Sequence, residues 1–344
     1  MHVTFEKILV IRNDRLGDFM LAFPTLVLLK RALPDTELHV LVPEYTAEMA
    51  SACDAVDGVV IDPGPDAGVR KQLELIRRLK DNSYDASITL FSTARIGWCL
   101  LLAAIPYRLG PATKAAQVLY NHRLVQRRSR SAKPEYEYNL DLGLHLLADV
   151  GIPAPALPTP PYLHFPDEHV ARLRSEFCRR HRITAEQRLV FIHPGSGGSA
   201  NNLTLRQYSE LVRRLRSYGQ PTIVISAGPG EEAVARELGA LLGATPHVIY
   251  VSDQGLRRFA EHIQFADVFI SGSTGPLHVA GALNRRTAAF YPRRRSATEL
   301  RWQTLSAPEH RLAFSVPAGV EEGDMHSIDL VAAAAAIGER FLRP

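Results

Sequence analysis
Residues 153–166 read PAPALPTPPYLHFP, and proline at that density excludes both a helix and a central strand. The segment reads as a stiff, extended linker. It divides the 344 residues into two stretches of ordinary domain size, with the boundary set at 1–160 and 161–344. On both sides short apolar segments alternate with amphipathic ones. Before the linker, residues 7–12 (KILVIR), 37–42, 58–62 and 86–91 read as strands, with helices expected over 18–33, near 46–52 and over 69–80. After it, strands fall at 189–193, 222–226, 247–251, 267–271 and 287–291, with helices over 205–218, 231–242, 256–265, 276–283 and 329–342. Alternation of this kind produces a parallel sheet with helices on both faces. The expected fold class is therefore α/β, two doubly wound domains with a cleft between them. The C-terminal helix, 327–342, could pack back on the N-terminal domain.

No apolar run approaches the roughly 20 residues that span a bilayer; the longest, around 96–105, is interrupted by Gly97. The opening MHVTFEKILVIR leads straight into a strand, so no secretory leader is expected. Cys53, Cys99 and Cys178 lie far apart with no CxxC pair, which argues against a zinc site and a disulfide framework. These features point to the cytoplasm. Lys and Arg number 40 against 36 Asp and Glu, a formal charge of only +4, but arginine clusters at 123–130 (RLVQRRSR), 179–182 and 293–295. Such clusters suit phosphorylated ligands or an anionic membrane surface, or are simply solvated. No aromatic interleaving or nucleic-acid module accompanies them, and nucleic acid is not expected as a partner.

In doubly wound sheets ligands sit where strand C-termini run into helix N-termini. Four such loops stand out. Residues 12–18, RNDRLGD, follow the first strand; Gly17 permits a tight turn and Asp18 then sits at the helix start. Asp18 is either an N-cap or a carboxylate able to take a proton from an attacking hydroxyl. The loop lacks GxGxxG, so no dinucleotide fingerprint is present. Residues 193–200, HPGSGGSA, bring Gly195, Ser196 and Gly197 to a place where backbone N–H groups can approach an anion, though the GK[ST] ending of a P-loop is missing. Residues 226–232, SAGPGEE, offer Glu231 or Glu232 to a ribose diol, or merely to the helix N-terminus. Residues 271–278, SGSTGPLH, set Ser273, Thr274 and Gly275 before Pro276 at a helix start, a ready diphosphate site to which His278 could add a hydrogen bond or charge. Three of the four loops would converge at one end of the C-terminal sheet. That half reads as the nucleotide-sugar side, leaving the N-terminal half for an acceptor.

At these residues the chain resembles the heptosyltransferases of glycosyltransferase family 9. The likeness runs through ILVIRNDRLGDFMLAFPTL, FIHPGSGGSANNLTLRQYSELVRRL and SGSTGPLHVAGALNRRTAAFYP, and spans nearly the whole chain. It implies the GT-B architecture of two Rossmann-like domains. It also implies inverting transfer of heptose from ADP-heptose to a lipopolysaccharide-type glycan, by direct displacement and without a metal or other cofactor. Carried over residue by residue, Asp18 would be the general base and Glu231 the ribose-binding acid. Ser273, Thr274, Gly275 and His278 would meet the diphosphate.

Two departures stand out. Ser273 occupies a position where the family often has Asp, and Asn201-Asn202-Leu203 stands where Lys or Arg followed by Trp is common. Arg12, Arg15 and the arginines at 293–295 are the candidates to replace the missing cation. The departures also leave open a non-catalytic sugar-nucleotide-binding protein, and a GT-B nucleotide-sugar epimerase is a further alternative. In the N-terminal half, Arg12, Arg15, Gly17, Arg127 and Arg128 are candidates for binding the acceptor or its phosphates, and the arginine run at 123–130 also suits a peripheral contact with the inner face of the inner membrane.

Overall fold
The structure, a computed structural model, describes residues 5–113, 115–197 and 201–343. The chain divides into two compact units, Met1–Tyr162 and Leu163–Pro344. The first contains β1 (Lys7–Ile11), α1 (Leu16–Met20), α2 (Phe23–Ala32), β2 (Glu37–Pro43), α3 (Ala47–Ser51), β3 (Gly58–Asp62), α4 (Val69–Asp81), β4 (Ala86–Thr89), α5 (Ala94–Leu102), β5 (Tyr107–Pro111), β6 (His122–Leu124) and α6 (Glu135–Asp149). The second contains α7 (Asp167–His181), β7 (Leu189–His193), α8 (Leu205–Leu215), β8 (Thr222–Ala227), α9 (Glu232–Leu242), β9 (His247–Val251), α10 (Gly255–Gln264), β10 (Val268–Gly272), α11 (Gly275–Ala282), β11 (Thr287–Tyr291), β12 (Arg311–Ser315) and α12 (Leu330–Ile337).

Each unit carries a six-stranded sheet, ordered β3-β2-β1-β4-β5-β6 in the first and β12-β11-β10-β7-β8-β9 in the second. Every strand pairing is parallel. The central strands are covered on both faces, which is why they read as unbroken apolar runs: Leu9, Ile11 and Leu41 lie in one core cluster, Val190, Ile192 and Ile270 in another. Strand order reverses between β1 and β4 in the first sheet and between β7 and β10 in the second. The loops leaving those strands flank a topological switch point, where an open sheet leaves a crevice.

Four local expectations change. The helix drawn over 18–33 is two helices: it begins at Leu16 and breaks at Leu21–Ala22. Pro24, in the first turn of α2, lacks an N–H and its ring would clash with a carbonyl one turn back, so the first helix cannot run through it. As a result Asp18 is the third residue of α1, behind the N-cap Arg15, and is not itself the cap. Gly17 lies buried inside α1, so it does not make the tight turn read for it. The C-terminal helix α12 packs against α8, with Ala333, Ala334 and Ile337 in the second unit's own core, where the sequence had left it free to pack on the N-terminal domain.

Candidate functional site
In the first unit the chemistry gathers around Arg12, which follows β1 and is 2% exposed. Its guanidinium is divided among acceptors. Nε donates to Asp14 Oδ1 at 2.9 Å, Nη2 to Asp18 Oδ1 at 2.6 Å, and Nη1 to Glu135 Oε1 and Asn139 Oδ1, both at 3.1 Å. Arg128 donates to the same Glu135 oxygen at 2.6 Å and to Gln126 at 3.0 Å. Asn139 in turn donates to the Leu21 carbonyl at 3.0 Å, tying α6 to the break after α1. Two guanidinium groups thus face three carboxylates, and the surplus is negative.

Burial is the largest influence on Asp18; it pushes the carboxyl up, Arg12 pulls it down, and Asp14 and Glu135 add to the rise, leaving it at about 6. For Arg12, burial opposes the charge, but the three carboxylates outweigh it and hold the guanidinium ionised. The Asp18 side chain keeps 15% exposure, enough to meet a ligand. Arg12, read as a phosphate binder or substitute cation, is instead buried and occupied with carboxylates. Arg128 is likewise turned inward, whereas Arg15 and Arg127 are exposed.

Beside this cluster a recess of about 700 Å³ opens at the ends of β2 and β3, lined by Pro43, Tyr45, Asp62, Gly64 and Lys71 among others. Tyr45 reaches across to donate to the Asp14 carbonyl at 3.1 Å. Asp62 is anchored by Asn13, by Arg95 and by the Gly64 N–H at 3.0 Å. Against the tendency of burial to raise it, its pKa is lowered by the hydrogen bonds from Arg95 and Asn13.

In the second unit β7 and β10 lie side by side with Ser271 level with His193, and Ser271 donates to the His193 carbonyl at 2.9 Å. Their loops are braced by Glu231. Its carboxylate accepts from the Gly197 N–H at 3.2 Å and the Gly228 N–H at 3.0 Å, and lies 3.3 Å from His193 Nε2. The hydrogen bond from His193 is the largest cause of a pKa lowered to about 2. A Cβ on Gly195 would stand 2.3 Å from that carboxylate, so a side chain there would push Glu231 out of its present position. Glu231 therefore clasps two loops as well as standing 20% exposed at their rim. Asn202 is a second clasp: it donates to the Pro194 carbonyl at 2.9 Å and accepts from the Tyr208 hydroxyl. Gly198, Ser199 and Ala200 of the glycine-rich loop lie outside the described residues.

The Ser273–Gly275 turn leads into α11, whose N-cap Thr274 makes no side-chain cap and instead pairs its hydroxyl with Ser271 at 3.0 Å. Pro276 occupies the first turn, as read from the sequence. His278 is 2% exposed and its Nδ1 has no hydrogen-bond partner. Burial alone lowers its pKa to about 4, so at neutral pH it offers a hydrogen bond, not the charge that was also considered. The arginines at 293–295 are exposed immediately after β11, the strand beside β10. No group of His, Cys, Asp and Glu among the described residues could hold a metal ion.

The model of the family described as glycosyltransferase family 9 (heptosyltransferase) matches residues 72–308, more than half of the chain. The chain belongs to glycosyltransferase family 9. A Haemophilus influenzae protein, provisionally named a glycosyltransferase, is 43% identical over 92% of this chain and 91% of its own length. Lipopolysaccharide heptosyltransferase 2 of Escherichia coli is 24% identical over 83% and 82% of the two chains. The solved structure of the Escherichia coli ADP-heptose lipopolysaccharide heptosyltransferase II superposes with a TM-score of 0.78 at 19% identity, covering 98% of each chain. The architecture is thus GT-B, and the protein is a family 9 glycosyltransferase related to heptosyltransferases.

Several members of these clusters escaped sequence reading. Glu135 and Asn139 lie more than a hundred residues from Arg12, and no local pattern links them. Asn202 was noticed only for the cation it lacks, and its contacts make it a loop clasp.

Proposed function
We propose that this family 9 glycosyltransferase moves a heptosyl group from ADP-heptose to a hydroxyl of a lipopolysaccharide-type glycan, with inversion and with Asp18 as the base. The observation that carries the reading is the Asp18 carboxylate: raised to about 6, fixed by a buried arginine and still partly open. A carboxylate near that value is a stronger base than an ordinary one yet remains mostly ionised at neutral pH. In the proposed step Asp18 takes the acceptor proton as the acceptor oxygen bonds to the anomeric carbon. The bond from that carbon to the diphosphate breaks, and ADP leaves with the electron pair.

Charge then accumulates on the diphosphate. The candidates to meet it are the N-terminus of α11 with Ser273, Thr274 and Gly275, the Nδ1 of His278, the backbone of Gly195, Ser196 and Gly197, and the arginines at 293–295. Relatives of this chain include enzymes named for ADP-heptose and lipopolysaccharide, which supports the donor and acceptor class. The recess lined by Glu44, Tyr45, Asp62 and Lys71 is of the size of a small-ligand site and offers hydrogen-bonding groups to the hydroxyls of a glycan acceptor.

The test is Asp18→Asn, which keeps shape and removes the base. Transfer from ADP-heptose is expected to fall by about 10²- to 10⁴-fold while ADP still binds with near-normal affinity. Full activity in that variant removes Asp18 from the role, and product formed without an acceptor replaces transfer with epimerisation.

A further inference from the structure
Between Asp85 and Glu135 the chain has no Asp or Glu, while it carries eight Lys and Arg. No other stretch of the chain runs so long without an acidic residue. The surface it builds is also unusually apolar. Helix α5 buries Ile96, Cys99 and Leu100 in the core and turns Ala94, Trp98, Leu101 and Leu102 outward. Those four share one face by helical spacing. Trp98 is 53% exposed and Leu102 56%.

The short 3-10 turn Ala115–Leu119 lies against the same helix, so close that a Cβ on Gly97 would stand 2.7 Å from Leu119. Its Val118 is 76% exposed. The chain then runs through the edge strand β6, where Arg123 is exposed, and in the segment after it Val125 and Arg127 are exposed with Gln126 between them buried. The acid nearest in contact with this strand, Asp149, is occupied with His122 at 3.0 Å and the Tyr107 hydroxyl at 2.8 Å.

We propose that this face docks on an anionic lipid bilayer, with Trp98, Leu101, Leu102 and Val118 entering the headgroup boundary and Arg123 and Arg127 holding lipid phosphates. An exposed indole and leucines beside cations free of acids match the chemistry of that interface, where aromatic rings and basic side chains both gain. A second copy of the chain does not match it, because a symmetric contact would set these cations against their equals. Arg128 takes no part, since Glu135 and Gln126 hold it inward. The proposal goes beyond the transfer reaction and does not rest on it, because vesicle binding is read without donor or acceptor.

The chain has two tryptophans, Trp98 and Trp302, so Trp302→Phe leaves Trp98 as a sole reporter. With phosphatidylglycerol-rich vesicles at low salt, Trp98 emission is expected to shift to the blue and to be quenched by brominated acyl chains. The protein is expected to pellet with these vesicles and not with pure phosphatidylcholine. Arg123→Gln and Arg127→Gln should each weaken binding about fivefold, and added salt should weaken it further. Trp98→Ser with Leu102→Ser should abolish insertion while the thermal unfolding profile is retained. If Trp302→Phe folds poorly, the difference between the unaltered chain and Trp98→Phe gives the same reading. Absence of pelleting by the folded protein, or pelleting with unchanged Trp98 emission, overturns the proposal. So does a dimer that Trp98→Ser dissociates in a chain that never binds vesicles; the face would then belong to a second copy.

Discussion

Burial disfavours the charge on Asp18, Arg12 favours it, and Asp14 and Glu135 side with burial, so the carboxyl is half-ionised at about pH 6. In the proposed reaction only the ionised form accepts a proton. The plot of kcat/KM against pH should therefore fall tenfold per unit below a break near 6, and a break at the ordinary carboxylate value would remove Asp18 from the role. Arg12 sets the position of that break. Lysine at 12 keeps the charge but cannot divide three nitrogens among Asp14, Asp18 and Glu135. With the attraction weakened, the folded-state pKa of Asp18 rises, and Arg12→Lys should move the break to higher pH with its shape unchanged. Arg12→Met removes the cation altogether and strands the carboxylates together. Loss of one partner from a buried charge cluster costs about 3–5 kcal/mol, so that variant should show a clear drop in denaturation midpoint.

The loops leaving β7 and β8 are held as one piece because Glu231 at the start of α9 accepts hydrogen bonds from both. Its carboxyl is depressed in the folded state, so its stabilisation is complete above the ordinary glutamate value and is lost as pH falls towards about 2. Glu231→Gln should abolish that acid-side loss and loosen the Gly195–Gly197 turn. Gly195→Ala forces a methyl group against the same carboxylate. Either change should weaken ADP binding about tenfold or more by calorimetry; unchanged affinity would detach this turn from the nucleotide.

These loops were legible in the sequence because buried strands announce themselves as apolar runs and glycines mark where they end. Elements without such marks went unread. Strands β5, β6 and β12 are short or half-exposed, with sequences such as YRLGP and HRL that carry no alternation. Helices α6 and α7 have mixed faces beside prolines. The cluster around Asp18 was half legible: the carboxylate was visible at the strand end, while Glu135 and Asn139 come from α6 and meet Arg12 only through the fold.

At the scale of the whole molecule the chemistry is split between two units, each with its own sheet, switch point and core. The carboxylate proposed as base belongs to the first, and the loops proposed for the diphosphate belong to the second. A ligand stabilises only what it binds, by RT ln(1 + [L]/Kd), and two domains of this size need not unfold as one. Scanning calorimetry with ADP at about 100 times its Kd should therefore raise the transition of the second unit by roughly 5–10 °C, from about 2.7 kcal/mol of added stability. The transition of the first unit should stay in place under the same addition, and Asp18→Asn should leave the ADP shift intact. UDP and GDP should do much less, because the proposed donor carries adenine. A larger shift with UDP or GDP would overturn ADP-heptose while leaving the transferase, and no shift with any nucleotide would mean that the loops after β7 and β10 have lost their ligand. Equal shifts of both transitions with ADP would show that the nucleotide's stabilisation is shared by the first unit, a coupling that a site built from the second unit alone does not provide.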